Sequence, residues 1–177
     1  AERKLLSITA VGEASAAPEF VRLSVSVVST CYASPMEAKQ ANAAVTSKVF
    51  EKLKSFEAGE EKALASGVAI IPDERVEAVN ENNTMNYKKV CPNHWMATQS
   101  ISLKSSAIDK TAEIQDLLFK TMGEVNGPQD LKSTTATKMS MSAPYADLAP
   151  NTRHKLELAA WKDCATRAKE EAGIVAS

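Results

Sequence analysis

The stretch FVRLSVSVV, residues 20–28, together with the helical pattern that follows it from Met36 to about Phe56, decides the fold of this chain. Apolar and polar residues alternate along the first stretch, which is the period of two of a strand buried on one side only. The apolar positions are Val21, Leu23, Val25 and Val27. The sequence therefore predicts a strand with one buried face, which the following helix covers.

The start of that helix is marked by three residues. Ser34 is a candidate N-cap, Pro35 suits the first helical position, and Glu37 lies in the first turn, where a negative charge is favourable. Apolar residues then recur every three or four positions and predict one inward stripe. The stripe consists of Ala38, Ala41, Val45, Val49, Leu53 and Phe56, and the opposite face includes Lys39, Gln40, Thr46, Lys48 and Lys54.

Length and composition predict one globular domain over residues 1–177. The hydrophobic fraction is 44%, and 21 basic against 22 acidic residues leave a net charge of −1. This balance offers no basic surface for nucleic acid. The sequence has no apolar run close to the roughly 20 residues of a membrane-spanning helix. A start at Ala1 without Met fits a processed mature chain, and a trimmed chain would look the same.

Turn residues divide the rest of the chain into further elements. Predicted strands are Leu5–Val11, Ala63–Ile71 and Tyr87–Leu103, followed by Leu131–Met141. Predicted helices begin at Ser106 or Asp109 and at Thr152, with Gly123 and Gly173 as their stops, and Ser142–Pro150 is a predicted loop. Pro72-Asp73 interrupts the third strand, and Asn80–Thr84 is a predicted hairpin tip or loop. The order β-β-α-β-β-α-β-α predicts an α+β fold, with a largely antiparallel sheet and the helices on one face.

The three cysteines, Cys31, Cys91 and Cys164, leave two interpretations open. Either all three are isolated thiols, at least one of them buried, or one pair forms a disulfide and the third stays free. The second interpretation requires an oxidising compartment.

The stretch Cys91-Pro92-Asn93-His94 places a thiol and an imidazole three positions apart, the spacing of a possible metal site or activated thiol. A zinc site needs about four ligands, and His154 is the one other histidine. A Cys91 nucleophile activated by His94 would lack an evident third orienting group. We therefore predict no catalytic residue, no metal and no cofactor.

Aromatic residues offer weak candidates for protein contacts. Trp161 falls close to the inward stripe of the last helix and is predicted to lie in the core. Trp95, with Tyr87 and His94 nearby, would anchor an interface if it is exposed, and edge or core packing is the alternative.

Several segments resemble the SIMPL-domain family. Ile8–Ser15 with Ala17-Pro18-Glu19 resembles the family's opening strand and its "x-P-D" motif, although Glu19 stands where Asp is usual. Glu37-Ala38 and Gln40-Ala41-Asn42 resemble its "x-E-A-x-x-x-N" helix, and Ala159–Lys169 resembles its "A-x-x-D-A-x-x-K-A" segment. His94-Trp95 replaces the usual "Gly-Tyr". Family chains usually continue past Gly173, so the resemblance also suggests a chain shortened at its C-terminus.

The resemblance implies a non-enzymatic function. Family members are mostly bacterial, exported to the periplasm or the outer-membrane fraction, linked to stress tolerance and self-associating. Animal members are cytosolic signalling adaptors, and no catalytic residues are established for the family. We therefore expect a non-enzymatic protein–protein interaction domain, forming a homo-oligomer or part of a larger assembly, in a non-cytosolic compartment, with the cytoplasm as the alternative. The competing hypotheses are a thiol-based redox or catalytic protein using Cys91 and His94, and a small-ligand binder with a pocket between helices and sheet.

Overall fold

The computed structural model describes residues 7–54, 63–127 and 135–176. The chain forms two compact units, a larger one over Val21–Tyr145 and a smaller one made of Ala1–Phe20 and Ala146–Ser177.

Three helices and eight strands follow one another along the described residues. They are β1 (Phe20–Tyr32), α1 (Pro35–Leu53), β2 (Leu64–Ala65), β3 (Ala69–Pro72), β4 (Val76–Glu81), β5 (Thr84–Lys89), β6 (Trp95–Ser105), a 3-10 turn (Ile108–Lys110), α2 (Thr111–Asn126), β7 (Ala136–Met141), β8 (Tyr145–Asp147) and α3 (Pro150–Ala176). The predicted α+β class with antiparallel pairing is confirmed.

Strand β1 is the centre of the sheet in the larger unit. It pairs antiparallel with β6 on one side and with β7 on the other, so that Val25 lies opposite both Ile101 and Met141. The short strands β2 and β3 pair with the far side of β6. Because β6 and β7 occupy both edges of β1 between Val25 and Ser29, the middle of this strand is paired on both sides within the sheet.

The predicted buried face of β1 is confirmed. Its four apolar residues, Val21, Leu23, Val25 and Val27, are each at most 6% exposed. They share one core cluster with Val49 and Leu53 of α1 and with Ile114 and Leu118 of α2. Both helices therefore cover the valine face, and burial of this apolar surface is the main stabilising term of the larger unit.

Helix α1 begins as predicted, and Ala38, Val49 and Leu53 of its predicted stripe are buried, while Phe56 lies outside the described residues. The Glu37 backbone N–H donates to the Ser34 side chain at 3.2 Å, which confirms the N-cap. The buried line runs through Asn42 and Thr46, while Ala41 and Val45 are only half-buried, so the placement of Thr46 on the outer face was wrong. The stripe is rotated toward these polar residues because their side chains hydrogen-bond within the core.

Asn42 is fully buried and links the helix to two strands. Its amide nitrogen donates to the Val27 carbonyl of β1 at 2.9 Å and to the Ala97 carbonyl of β6 at 3.1 Å. The Asn42 side-chain oxygen lies 3.5 Å from the Thr46 hydroxyl, which lies 3.1 Å from the Gln99 side chain. This polar network fixes how α1 sits on the sheet, since buried polar groups are stable only when they are satisfied.

Three predicted strands need correction. Residues 7–11 are not a strand, and β1 pairs instead with β6 and β7. Ala63–Ile71 divides into β2 and β3. Tyr87–Leu103 is not one strand either: the turn around Pro92 and Asn93, with Asn93 at a φ of 60°, separates β5 from β6. Part of the predicted strand Leu131–Met141 lies outside the described residues, and β7 forms its second half.

The two predicted glycine stops were wrong. Gly123 lies inside α2, which ends at Asn126 before Gly127 in the left-handed region. Gly173 lies inside α3. A glycine costs only about 1 kcal/mol in a helix interior, so continued hydrogen bonding outweighs it. On α2, Leu118 is buried and Ala112 is exposed.

The smaller unit is built around α3. Oxygens of the Glu19 side chain accept from the Ala149 backbone N–H at 2.5 Å and from the Thr152 hydroxyl at 2.8 Å, where the helix begins. Gly12 lies so close to α3 that a Cβ at this position would be 1.9 Å from the Ala160 carbonyl oxygen. The glycine and the acid of the family-like opening segment thus serve helix packing and capping.

Candidate functional site

Strands β4 and β5 form a separate two-stranded hairpin, residues 76–89, which we call the arm. Its tip is the two-residue turn Asn82-Asn83, with φ values of 54° and 60°. Positive φ at both positions is typical of the type I′ turn that suits the twist of a hairpin. The prediction of a hairpin tip within Asn80–Thr84 is therefore confirmed.

The two faces of the arm differ in chemistry. Directly opposed residues share a face, and the pairs Val76–Lys89, Ala78–Tyr87 and Asn80–Met85 form a mostly apolar one. The other face carries an ion pair between Lys88 and Glu81. The arm is thus amphipathic, like a strand pair that covers a core.

The apolar face of the arm is nevertheless open to solvent. All six residues of β5 are exposed, and so are all residues of β4 except the half-buried Val79. Tyr87 is 72% exposed, Met85 64% and Val76 56%. An isolated two-stranded hairpin is at best marginally stable in water, and the apolar row of this one is left uncovered.

A disulfide between Cys31 and Cys91 closes the base of the arm. The two residues are 60 positions apart in sequence, with their Cα atoms 5.4 Å apart, and Cys164 is a free thiol. Of the two interpretations of the cysteines, three isolated thiols is therefore wrong. Cys31 occupies the irregularity near the end of β1, with a φ of 61°, and Cys91 lies in the turn after β5.

Asp73 and Arg75 complete this base cluster. Asp73 is 2% exposed, and its carboxylate accepts from the Cys31 backbone N–H at 3.0 Å. The Arg75 guanidinium donates to both carboxylate oxygens, at 2.7 and 2.8 Å, and one of its nitrogens lies 3.0 Å from the Cys31 sulfur and 3.9 Å from the Cys91 sulfur. A bidentate pair of this kind is the strong form of a charge-assisted hydrogen bond.

The charges of the cluster stabilise one another. Hydrogen bonds from the Arg75 side chain hold the pKa of Asp73 below its ordinary value of 3.8, against the opposing effect of burial. In turn, the Asp73 carboxylate raises the pKa of Arg75 above its ordinary value. Asp73 is therefore ionised at neutral pH and anchors the chain immediately before β4, while the Val90 N–H donates to the Arg75 carbonyl at 2.9 Å and closes the arm.

Metal binding by this cluster meets a chemical obstacle. Among the described residues, the group with suitable proximity is Cys31, Asp73 and Cys91, whose ligand atoms lie within 4.8 Å of one another. The two sulfurs are bonded to each other, however, and the carboxylate is engaged by Arg75. A cationic guanidinium beside the sulfurs also opposes a second cation.

The predicted interaction residues fall into two neighbouring places. Tyr87 lies on the apolar face of the arm, and the half-buried His94 and Trp95 follow the Cys91 turn. Nδ1 of His94 donates to the Pro92 carbonyl at 2.7 Å, so this ring orders the turn. A pocket of about 280 Å³ is formed at the base of the arm, lined by Pro72, Asp73, Glu74, Lys89, Asn93, His94 and Trp95.

Sequence reasoning predicted the tip of the arm but missed its uncovered apolar face and its base. It named Tyr87 but not Val76 and Met85, because the segment after Tyr87 was assigned to a strand continuing to Leu103. The signal was present: apolar residues alternate on both sides of Asn82-Asn83. Asp73 and Arg75 carried no recognisable pattern, since their role depends on a cysteine 42 positions away from Asp73.

Trp161 was predicted to be a core residue, and this was wrong. It is 73% exposed on α3, beside a groove of about 360 Å³ in the smaller unit, lined by Ala10, Val11, Gly12, Glu157, Ala160, Trp161 and Cys164. The Cys164 thiol donates to the Ala10 carbonyl at 3.2 Å. The side of α3 that meets the 7–19 segment carries small residues, which leaves the large indole outside.

The family-like opening segment packs against and caps α3, and the α1 motif joins that helix to the sheet. Both lie within the residues that match a family model. A family model for SIMPL, a protein of unknown function (DUF541), matches residues 6–177. The chain belongs to the SIMPL family. Asn42, the last residue of the family-like helix motif, is the side chain that joins α1 to two strands in this SIMPL chain.

Two solved structures of other proteins resemble this SIMPL chain distantly. No curated protein matches it significantly. An amidase of the hydantoinase/carbamoylase family from Burkholderia phymatum is 9% identical, with a TM-score of 0.41 over 82% of this chain and 34% of that one. A protein assigned as an aminohydrolase, from methicillin-resistant Staphylococcus aureus, is 7% identical, with a TM-score of 0.38 over 78% and 32%. The chain spans about a third of these structures, and likeness this weak carries no argument.

Within the described residues, none of the helices has an apolar stretch long enough to cross a bilayer.

Proposed function

We propose that this SIMPL chain is a non-enzymatic protein-association domain whose contact surface is the apolar face of the arm, and that the occupant of this face is a second copy of the chain. The observation that carries the proposal is the exposure of Val76, Met85 and Tyr87 on one face of the hairpin. Apolar patches of this kind on a projecting element are typical of interaction sites.

The charge distribution favours a second copy as the occupant. A two-fold contact requires a self-complementary patch, because the same residues meet from both sides. Lys89 is the one charged residue on the apolar face of the arm, and it is paired with Glu74 at 2.6 Å. Two such faces can therefore approach without placing like charges together.

The arm also presents backbone edges for pairing. Among the described strands, β4 and β5 pair only with each other. An exposed edge strand offers N–H and C=O groups to another chain, and Tyr87 at its middle would serve as the aromatic anchor. Trp95 and His94 extend this surface at the base of the arm.

The disulfide supports a non-cytosolic compartment for this chain. Structural disulfides form and persist in oxidising environments and are rare where thiols are kept reduced. The Cys31–Cys91 bond thus agrees with the exported location that the family resemblance implies. It also means that Cys91 is not a free thiol beside His94, and this weighs against the hypothesis of a Cys91/His94 nucleophile.

The test is self-association measured by size-exclusion chromatography with light scattering over a range of protein concentrations. We expect a concentration-dependent oligomer that Tyr87→Ser weakens at least tenfold, since a central aromatic anchor contributes more than about 1.4 kcal/mol. Asn86→Ser, on the opposite face of the same strand, is the matched control and should leave association unchanged. A wild-type chain that stays monomeric throughout the concentration range would contradict the proposal.

A further inference from the structure

The Cys31–Cys91 disulfide lies outside the hydrophobic core and beside a cation. Neither cysteine belongs to the core cluster formed by β1, the helices and the neighbouring strands. The Arg75 guanidinium lies 3.0 Å from the Cys31 sulfur. A cation gains little from a neutral disulfide sulfur but strongly stabilises a thiolate, because the interaction then involves two full charges.

We propose that the Cys31–Cys91 disulfide is a reversible redox site, whose reduction by a dithiol frees the base of the arm and so controls the contact surface. The effect on association rests on the proposed function, whereas the redox site itself rests only on the geometry of the cluster. Cys31 is the leaving thiolate in this assignment, since its sulfur is nearer to Arg75 than that of Cys91.

Access to the two sulfurs favours attack on Cys91. Both residues are almost fully buried, at 2% and 3% exposed. Cys31 belongs to the central strand and is covered by the Asp73–Arg75 pair. Cys91 lies in a turn, next to the exposed Pro92 and Asn93, so a local opening of this turn would uncover it.

The exchange proceeds in two balanced steps. One thiolate of the dithiol attacks the Cys91 sulfur; the Cys31–Cys91 bond breaks, and its electron pair leaves on Cys31 beside Arg75. The second thiolate of the dithiol then attacks the mixed disulfide, which releases Cys91 as a thiolate and closes the reductant's own disulfide. Two electrons pass to the protein, Cys91 takes up one proton, and the second proton goes to solvent or to Cys31.

The charge of Asp73 shifts the equilibrium between the disulfide and the reduced thiols toward the disulfide, opposite to the effect of Arg75. A carboxylate oxygen lies within 4.8 Å of both sulfurs, so its negative charge disfavours a thiolate there. The same carboxylate also orients the Arg75 guanidinium, which favours the thiolate. Because Asp73→Asn removes the charge but keeps a side-chain oxygen that can accept from Arg75, the proposal predicts opposite effects from removing the two charges.

The experiment measures the equilibrium between thiol and disulfide in mixtures of reduced and oxidised dithiothreitol, with thiols counted by mass tagging in a Cys164→Ser background. Arg75→Gln should lower the equilibrium constant for reduction by on the order of tenfold, and Asp73→Asn should raise it several-fold. Lys88→Gln removes an exposed cation from the arm and is the matched control. Equal equilibrium constants in wild type, Arg75→Gln and Lys88→Gln would overturn the redox site.

The coupling to the arm is measured on the same samples by hydrogen exchange of residues 76–89 and by light scattering. Reduction should speed exchange of the arm, weaken association at least several-fold and be reversed on reoxidation. Association that is lost in Tyr87→Ser but unchanged by reduction would overturn the coupling while leaving the proposed function standing. If the oxidised wild type does not associate, the proposed function and its redox control both fail, and the equilibrium constants of the charge variants still decide the redox site.

Discussion

Asn42 shows how one buried side chain can define the placement of a helix. Its amide donates to carbonyls of two adjacent strands, so the same group fixes both the rotation of α1 and its position along the sheet. An apolar residue here would fill space but leave these acceptors without their donor. The core therefore requires a hydrogen-bond donor at position 42.

We predict that Asn42→Ala lowers the free energy of unfolding by about 2–3 kcal/mol, because it removes two buried hydrogen bonds and leaves a small cavity. Urea unfolding followed by circular dichroism measures the change. Asn86→Ala, on the exposed arm, is the control and should stay within about 0.5 kcal/mol of wild type. A loss below about 1 kcal/mol in Asn42→Ala would show that the strand carbonyls do not need this donor.

Asp73 predicts a specific dependence of stability on pH. Its pKa is lowered in the folded chain, chiefly by hydrogen bonds from Arg75. A group with a lowered folded pKa contributes stability that is fully present above its unfolded pKa and is lost as pH falls through the folded value. The contribution should thus be complete at pH 7 and decline below about pH 4.

The measurement compares urea unfolding of wild type and Asp73→Asn between pH 7 and pH 3. Wild type should be the more stable of the two at pH 7, and the difference should shrink steadily once the pH falls below about 4. A difference that is the same at pH 7 and pH 3 would mean that the ionised carboxylate is not the stabilising form.

At the scale of elements, the arm depends on its base more than on its own packing. Its two strands are exposed along almost their whole length, so few buried contacts hold them in place. The disulfide joins Cys91, in the turn that follows the arm, to the central strand, and Asp73 and Arg75 hold the residues before the arm. A two-stranded element of this kind is ordered by its anchor.

We predict that replacing both Cys31 and Cys91 with Ser lowers the free energy of unfolding by about 4 kcal/mol, the chain-entropy estimate for a closed loop of 60 residues. Thermal and urea unfolding measure the loss. Cys164→Ser is the control and should change stability much less, since this residue is a free, half-buried thiol. A double variant as stable as wild type would show that the loop is already constrained without the bond.

At the scale of the whole molecule, the proposed contact surface on the arm and the hydrophobic core that stabilises the larger unit share no residues. The core of the larger unit is formed by β1, β6, β7, α1 and α2, and the arm contributes none of its residues. The arm is therefore an addition to a complete core. The smaller unit has its own packing around α3: Gly12 lies against this helix, and Glu19 hydrogen-bonds at its start.

We predict that replacing residues 76–89 with a short Gly-Asn turn keeps the core folded, with a loss of no more than about 1–2 kcal/mol, while abolishing self-association. Urea unfolding and light scattering measure the two effects on one sample. An unfolded chain would contradict the assignment of the arm as an addition, and an oligomer that persists would place the contact surface elsewhere.

The parts of this fold that were predictable are those that depend on near neighbours in sequence. The alternation over residues 20–28, the Ser34 cap and the hairpin tip at Asn82-Asn83 follow from backbone geometry within a few residues. The candidate site was predicted only at Tyr87, His94 and Trp95, as weak interaction residues. Its anchor was not predictable, because nothing local distinguishes Asp73 or Arg75 from other surface charges.

The sequence by itself determined the class of fold, the buried face of the central strand and the helix that covers it, since periodic burial is written into residue order. Only the tertiary structure decided the pairing of Cys31 with Cys91, the exposure of Trp161 and the uncovered face of the arm. The physical reason is that these features depend on which distant segments meet. A contact across 60 residues is selected by the free energy of the whole packed structure, not by the preference of either end.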